Sequence, residues 1–335
     1  MKRWRSCYIH RKALALTAGA ALCLGAAVLS LCLGAADIPL FRLWDVIRGE
    51  GGVEANIFWY ARAPRTAACL LAGAALSVSG AMLQSVLANP LAAPNIIGIN
   101  AGAGLAVSLC CAFGTAAGWT AGAAFAGALS AALAVAALAQ RTGASRSTIV
   151  LAGVAVSSFL SAVTETITTL FPDAGAGTAD FRVGGFSAVS VKRLAPAAVL
   201  IALALAAALS LSSELDVMAL GTETAHGLGL PVPQMRLLFL AIASLLAGAS
   251  VSFAGSLGFV GLIVPHMARR FVGSENGWLL PMCALSGAAL VTLCDLIGRL
   301  MFAPYELPAG IFLAFIGAPF FLTLLLRQKG GRTHG

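Results

Sequence analysis

RAPRTAACLLAGAALSVSGAMLQSVLANPLAAP, residues 62 to 94, decides how the chain is read. Its middle is an apolar run long enough to cross a bilayer, yet Arg62 and Arg65 precede that run and Gln84 and Asn89-Pro90 close it. Crossing hydrocarbon requires only apolar residues. Charged, amide and helix-breaking residues each cost free energy in or near lipid, so their presence at both ends calls for a functional explanation.

Outward from this stretch the chain keeps the same character. Of 335 residues, 59% are hydrophobic and 10% charged, with mean hydropathy +0.93, outside the range of a domain with a solvated surface. A span needs about 20 apolar residues to cross roughly 30 Å of hydrocarbon. Ten such runs lie near 13–34, 64–87, 95–112, 118–139, 147–170, 194–211, 236–255, 258–272, 278–298 and 308–326. They predict an all-α polytopic membrane protein of about ten transmembrane helices.

In such a chain the net charge of +8 matters less than where Lys and Arg fall, and it does not point to nucleic acid. With the amino terminus inside, alternate crossing places thirteen of the 21 basic residues in the cytoplasm. That majority predicts cytoplasmic termini, with residues 1–12 as a tail. The first run resembles a secretory signal ending at Gly34-Ala35-Ala36. Its roughly 21 apolar residues exceed the usual signal core of about 7 to 15, which favours a retained span. The eight cysteines mostly lie within apolar runs without CxxC spacing, and read as small hydrophobes rather than disulfides or metal ligands.

Three hydrophilic interruptions are long enough to carry structure: Asp37 to Tyr60 and Phe171 to Arg193 outside, and Ser212 to Gln234 inside. The inner one, SSELDVMALGTETAHGLGLPVPQ, reads as two short helices broken at Gly221 and halted by Pro231 and Pro233. Exposed Met218 and Leu220 in such a segment predict a protein-contact surface rather than a plain connector. An offset of 175 matches Ala68, Leu70, Leu71, Ala72, Gly73, Ala74, Ser77 and Gly80 with Ala243, Leu245, Leu246, Ala247, Gly248, Ala249, Ser252 and Gly255. These runs cross in opposite senses, which predicts an inverted repeat of the kind many transporters share.

No enzyme signature is present, and no catalytic residue is assigned. Without a Gly-Lys pair there is no phosphate-cradling loop, and neither HExxH nor a histidine cluster occurs. His266, beside Pro265, reads as satisfying backbone carbonyls freed by the proline. Intramembrane ionisable groups are sparse: Glu165, Asp295 with Arg299 at i,i+4 spacing, and Glu306. That scarcity argues against a proton-coupled antiporter; a secondary transporter energised by an ion gradient is the alternative reading, and a purely structural subunit is the third. Arg62, Arg65 and Arg299 sit at outer span ends against the positive-inside bias. Their guanidinium forks suit capture of carboxylates on a partner, or snorkelling to headgroups.

These motifs resemble the FecCD family, the permease subunits of ABC importers for ferric siderophores, haem and cobalamin. The similarity runs through RAPRTAACLLAGAALSVSGAMLQ (62–84), NPLAAPNIIGINAGAG (89–104), MALGTETAHGLGL (218–230), GFVGLIVPHMARRFVG (258–273) and DLIGRLMFAPYELPAGIFLAFIGAPFFLTLL (295–325). The resemblance implies ten spans in a bacterial inner membrane and a second permease subunit, as a homodimer or paired relative. It further implies two cytoplasmic ATPases that bind ATP and Mg, and an external substrate-binding protein. No cofactor is implied for this chain. Carried over by position, Leu220, Gly221, Thr222, Glu223, Ala225, Gly227 and Gly229 look like the loop that docks on the ATPase. Arg62, Arg65 and Arg299 look like docking points for the binding protein. Ser161, Thr164, Glu165, Thr168 and Phe312 fall where the pathway lining is expected. Where many relatives have an aromatic-rich segment, this chain reads Asp180-Phe181-Arg182-Val183-Gly184-Gly185-Phe186, and an arginine there can meet an anionic ligand or a headgroup. Ferric siderophore is the first expected cargo, ahead of haem and cobalamin.

Overall fold

The computed structural model describes residues 2–34, 43–49, 52–115, 118–141, 146–302 and 305–330. Ala35, Ala36, Arg42 and Arg332 lie outside the described residues. Every regular element among them is a helix: α1 (Lys2–Cys32), α2 (Leu43–Ile47), α3 (Val53–Ile57), α4 (Ala63–Leu87), α5 (Ile99–Ala112), α6 (Thr120–Arg141), α7 (Arg146–Leu170), α8 (Pro172–Val183), α9 (Val191–Ser210), α10 (Ser212–Ala219), α11 (Thr222–Gly227), α12 (Val232–Ala254), α13 (Val260–Val272), α14 (Asn276–Leu300) and α15 (Ala309–Gly330). Seven apolar helical stretches, in α1, α3–α4, α6, α7, α9, α12 and α14, are long enough to cross a membrane, and shorter apolar helices occupy Ile99–Ala112 and Ala309–Leu324.

The core is built on α4 and α12, which are largely buried and pack on each other. Small residues let the backbones approach. A side chain at Gly73 would strike the carbonyl of Gly287 in α14, and one at Gly80 the carbonyl of Gly261 in α13. Helices α5 and α6 meet in the same way through Gly102 and Gly127.

Two departures from regular helix position the rest. The run predicted at 258–272 yields α13, whose 13 residues rise only about 20 Å. The approach to it, Gly255 to Phe259, is not helical, and backbone polar groups away from water need partners inside the protein. They have them: Ser256 N–H donates to Phe181 O at 2.8 Å and Gly185 N–H to Ala254 O at 2.9 Å. Gly310 N–H donates to Gly184 O at 3.1 Å, so the end of α8 ties the end of α12 to the start of α15.

The second departure is the entry to α4. Pro64 does not force an extended approach, because a π-helical turn, Phe58–Arg62, runs from α3 directly into α4 and places the proline in its first turn. At the other end Ala88 adopts a left-handed conformation, φ +44°. Asn89 N–H then returns to Gln84 O, and Asn89 Oδ1 accepts from Leu91 N–H at 2.9 Å. Asn89-Pro90 is thus a helix stop with its own side-chain turn.

Candidate functional site

Arg62, Arg65 and Arg299 come together at one end of the molecule, lining a depression of about 320 Å³ with Tyr60, Phe186 and Glu306. Their forks are engaged within the chain. Arg62, only 5% exposed, donates Nη1 to the carbonyls of Leu31 and Cys32 at 2.9 and 2.7 Å, where the end of α1 gathers negative partial charge. Arg65 grips buried Asp295 with Nε and Nη2, each at 3.0 Å, and reaches Glu306 Oε2 with Nη1 at 2.7 Å. Arg299 lies 3.2 Å from the same Asp295 carboxylate and donates Nη2 to Ser30 Oγ at 2.8 Å. The i,i+4 pair expected from sequence is present, but Asp295 serves two arginines. The carboxylates that occupy the forks belong to this chain. Glu306, at 46% side-chain exposure, is the most open member of the cluster.

The expected pathway residues separate. On α7, Ser161 and Glu165 are exposed, whereas Thr164 is buried and donates to Leu160 O at 2.8 Å, and Thr168 donates to Glu165 O at 3.2 Å. Glu165 pairs with Arg182 of α8 at 3.2 Å, so the arginine that sets this sequence apart has a counter-ion on α7. Phe312 is half-buried on α15, which packs on α13 and α14, whereas α7 packs on α5, α6 and α8. Among the described residues α7 and α15 share no extended packing.

At the far end of α14 from the arginines lies the segment expected to meet an ATPase. It forms α10 and α11, with Gly221 at φ +112° between them, a conformation that strains any side chain. Ala225 is buried and anchors α11, while Thr222, Glu223, Gly227 and Gly229 are exposed. Leu220 and Leu228, each 63% exposed, flank α11. Two expectations need correction. Met218 is 2% exposed, because with Leu215 it roots α10 in the core. The helix ends at Gly227 rather than at the prolines, and Pro231 and Pro233 begin α12 instead, where a missing N–H costs nothing.

Gln84 has a role that the sequence reading left unassigned. Pro265 in α13 has no N–H for the carbonyl of Gly261, four residues back. The Gln84 side-chain amide supplies that donor from α4, at 3.1 Å, and Arg269 donates to the Gln84 carbonyl oxygen. His266, expected to meet the freed carbonyl, instead packs edge-on against Phe320 with centroids 5.5 Å apart. The sequence marked Gln84 as a polar residue closing an apolar run, but its partner stands on another helix and left no local signal. Asp216, Ser85 and Asn276, joined across α10, α4 and α14, were also missed, since nothing local distinguishes them. Among the described residues no group of three His, Cys, Asp or Glu side chains is placed to hold a metal ion.

The family profile described as the FecCD transport family matches residues 16–327. The chain is 38% identical over 315 residues to the probable siderophore transport system permease protein YfhA of Bacillus subtilis (strain 168), covering 90% of this chain and 91% of that one. It is 39% identical over 316 residues to the vitamin B12 import system permease protein BtuC of Citrobacter koseri, covering 92% of each. Among solved structures, one described as an inward-facing conformation of a metal-chelate type ABC transporter aligns with TM-score 0.83 and 28% identity, over 93% of this chain and 98% of that one.

Proposed function

Because the chain belongs to the FecCD transport family, we propose that it is the membrane permease of an ATP-driven importer for iron chelates or related complexes. The chain is a permease subunit and not itself an enzyme. The observation that carries the reading is the placement of two unlike surfaces at opposite ends of α4 and α14. One is a depression lined by three arginines; the other is α11 between two exposed leucines.

The finer reading runs as follows. A loaded binding protein docks at the arginine end, its carboxylates competing with Glu306 for Arg65. A cytoplasmic ATPase, which holds ATP and Mg, engages Leu220 to Gly229. The bundle reorients and releases cargo inward. The seven long spans, the two shorter apolar helices and α13 together make ten membrane-embedded segments, with both termini in the cytoplasm of a bacterial inner membrane. A second permease, an identical copy in the simplest case, brings its own α7 and α15 to complete the pathway that one chain leaves divided. The inverted repeat is supported by exchanged packing: α4 packs on α13 and α14, and its counterpart α12 packs on α5 and α6. Ferric siderophore is the first cargo to test, with haem and cobalamin next.

Proteoliposomes holding the permease, its ATPase and its binding protein provide the test, with labelled ferric siderophores, haem and cobalamin supplied outside. Uptake should require ATP hydrolysis. Uptake that persists with an inactivated ATPase and follows an imposed ion gradient would refute the reading.

A further inference from the structure

Helix α14 donates its first backbone N–H to an acceptor on another helix. Its N-cap residue, Glu275, makes no side-chain cap. Instead Asp216 Oδ1, on α10, accepts from the Asn276 backbone N–H at 2.8 Å and from Asn276 Nδ2 at 2.7 Å. Asn276 is fully buried, and its Oδ1 lies 3.3 Å from Ser85 Oγ on α4. A carboxylate facing a helix N-terminus with two donors on one oxygen is a strong, directional contact.

The same two helices are fastened twice more along their length. Midway, Gly73 and Gly287 approach so closely that a side chain at either would strike the other's backbone. At the outer end Arg65 of α4 holds Asp295 of α14 through two bonds. From Asn276 to Asp295 the helix rises about 28 Å, nearly the thickness of the hydrocarbon. Inner joint, backbone contact and outer ion pair therefore lie on one continuous element, whose inner end is held by α10. Leu215 and Met218 root α10 in the core, while Leu220 to Gly229 follow it directly.

We propose that the α4–α14 pair is the rigid connector between the arginine end and the ATPase-facing segment, and that Asp216 and Asn276 form the joint through which they are coupled. Both are positioning residues. They touch neither cargo nor nucleotide, but fix the angle at which displacement of α10 and α11 drives α14. Coupling between two binding sites is reciprocal, so the same joint links binding-protein docking to nucleotide binding on the ATPase. The proposal rests on the importer reading above.

The test compares D216L, D216N and N276A in the assembled transporter in nanodiscs. It measures ATP hydrolysis with and without binding protein, the affinity of the binding protein, and retention of the ATPase. D216L removes the acceptor, and the ratio of stimulated to unstimulated hydrolysis should fall about fivefold or more while docking affinity and ATPase retention persist. D216N keeps an oxygen able to accept from both donors and should preserve most of the ratio. N276A removes one donor and should fall between. An unchanged ratio in D216L, or loss of the ATPase from the D216L complex, would overturn the joint. A wild-type transporter that shows no stimulation would instead refute the importer reading.

Discussion

If Gln84 stands in for the N–H that Pro265 lacks, its removal should be partly repaired by restoring that N–H. Substituting Gln84→Leu breaks two contacts at once: the 3.1 Å bond to Gly261 O and the bond accepted from Arg269. A neutral side-chain hydrogen bond inside a membrane protein contributes about 0.6 kcal/mol on average and up to about 1.7. One to a charged donor contributes about 1.5–3 kcal/mol. Q84L should therefore destabilise the chain by about 2–4 kcal/mol. Pro265→Ala gives Gly261 O a donor four residues on, within its own helix. In the Q84L background this should recover the neutral share, about 1 kcal/mol, and leave the Arg269 share lost. In the wild-type background the Gly261 carbonyl is already satisfied, so P265A should gain little. The signature is a coupling of about 1 kcal/mol in the four-member cycle of wild type, Q84L, P265A and Q84L/P265A. Reversible unfolding in mixed micelles, checked by thermal midpoints on size exclusion, measures all four. Strict additivity, or a double variant less stable than Q84L alone, would refute the substitution of one donor for the other.

Other consequences can be measured separately. Asp295→Ala should cost about 3–5 kcal/mol, because it leaves two buried arginines without their shared carboxylate. Arg65→Ala leaves Asp295 paired with Arg299 and should cost less; thermal midpoints that rank the two the other way would contradict the shared-carboxylate arrangement. Gly73→Ala places a methyl against the Gly287 carbonyl and should cost about 1–3 kcal/mol, whereas Gly122→Ala, with open space around it, should stay within about 0.5. A cysteine introduced at exposed Thr222 in a cysteine-free background should react with an impermeant maleimide only from the cytoplasmic side, and labelling from outside would reverse the orientation.

Composition and hydropathy made the helices legible, since a helix occupies every predicted apolar run and the ends differ by a few residues, except that α1 begins at Lys2, so the expected tail is mostly helix. The short run at 258–272 holds α13 over 13 of its residues, but apolar character alone does not show that the approach from Gly255 to Phe259 leaves the helix. Met218 illustrates the same limit. An apolar residue in a hydrophilic segment is equally consistent with a contact surface and with a root into the core, and only packing separates the two. The arginines were legible as a group, but their contacts within the chain were not. A guanidinium fork at a span end announces that it will hold an acceptor, but not whether the carboxylate stands in the same chain 230 residues away, as Asp295 does from Arg65. Gln84 was visible as an anomaly without a task, since its task is defined by Pro265 on another helix.

The two halves of the proposed repeat have diverged in how firmly they hold their neighbours, and this bears on which contacts can change during transport. At Gly73 the neighbour is backbone, and polar contacts fasten the same helix pair at both ends. At Gly248, its counterpart at the offset of 175, the neighbours are the side chains of Ala128 and Phe125 on α6. Backbone-on-backbone contact between glycines has few alternative arrangements at the same separation, and directional bonds at both ends remove most of those. Apolar side chains at one level impose no direction and can repack along the helix axis at modest cost. The proposed repeat would thus supply two unlike parts, a fastened pair suited to carrying displacement across the membrane and a smoother pair suited to yielding to it. The unlike residues around two matching glycines would give the proposed alternating-access bundle both a lever and a sliding surface.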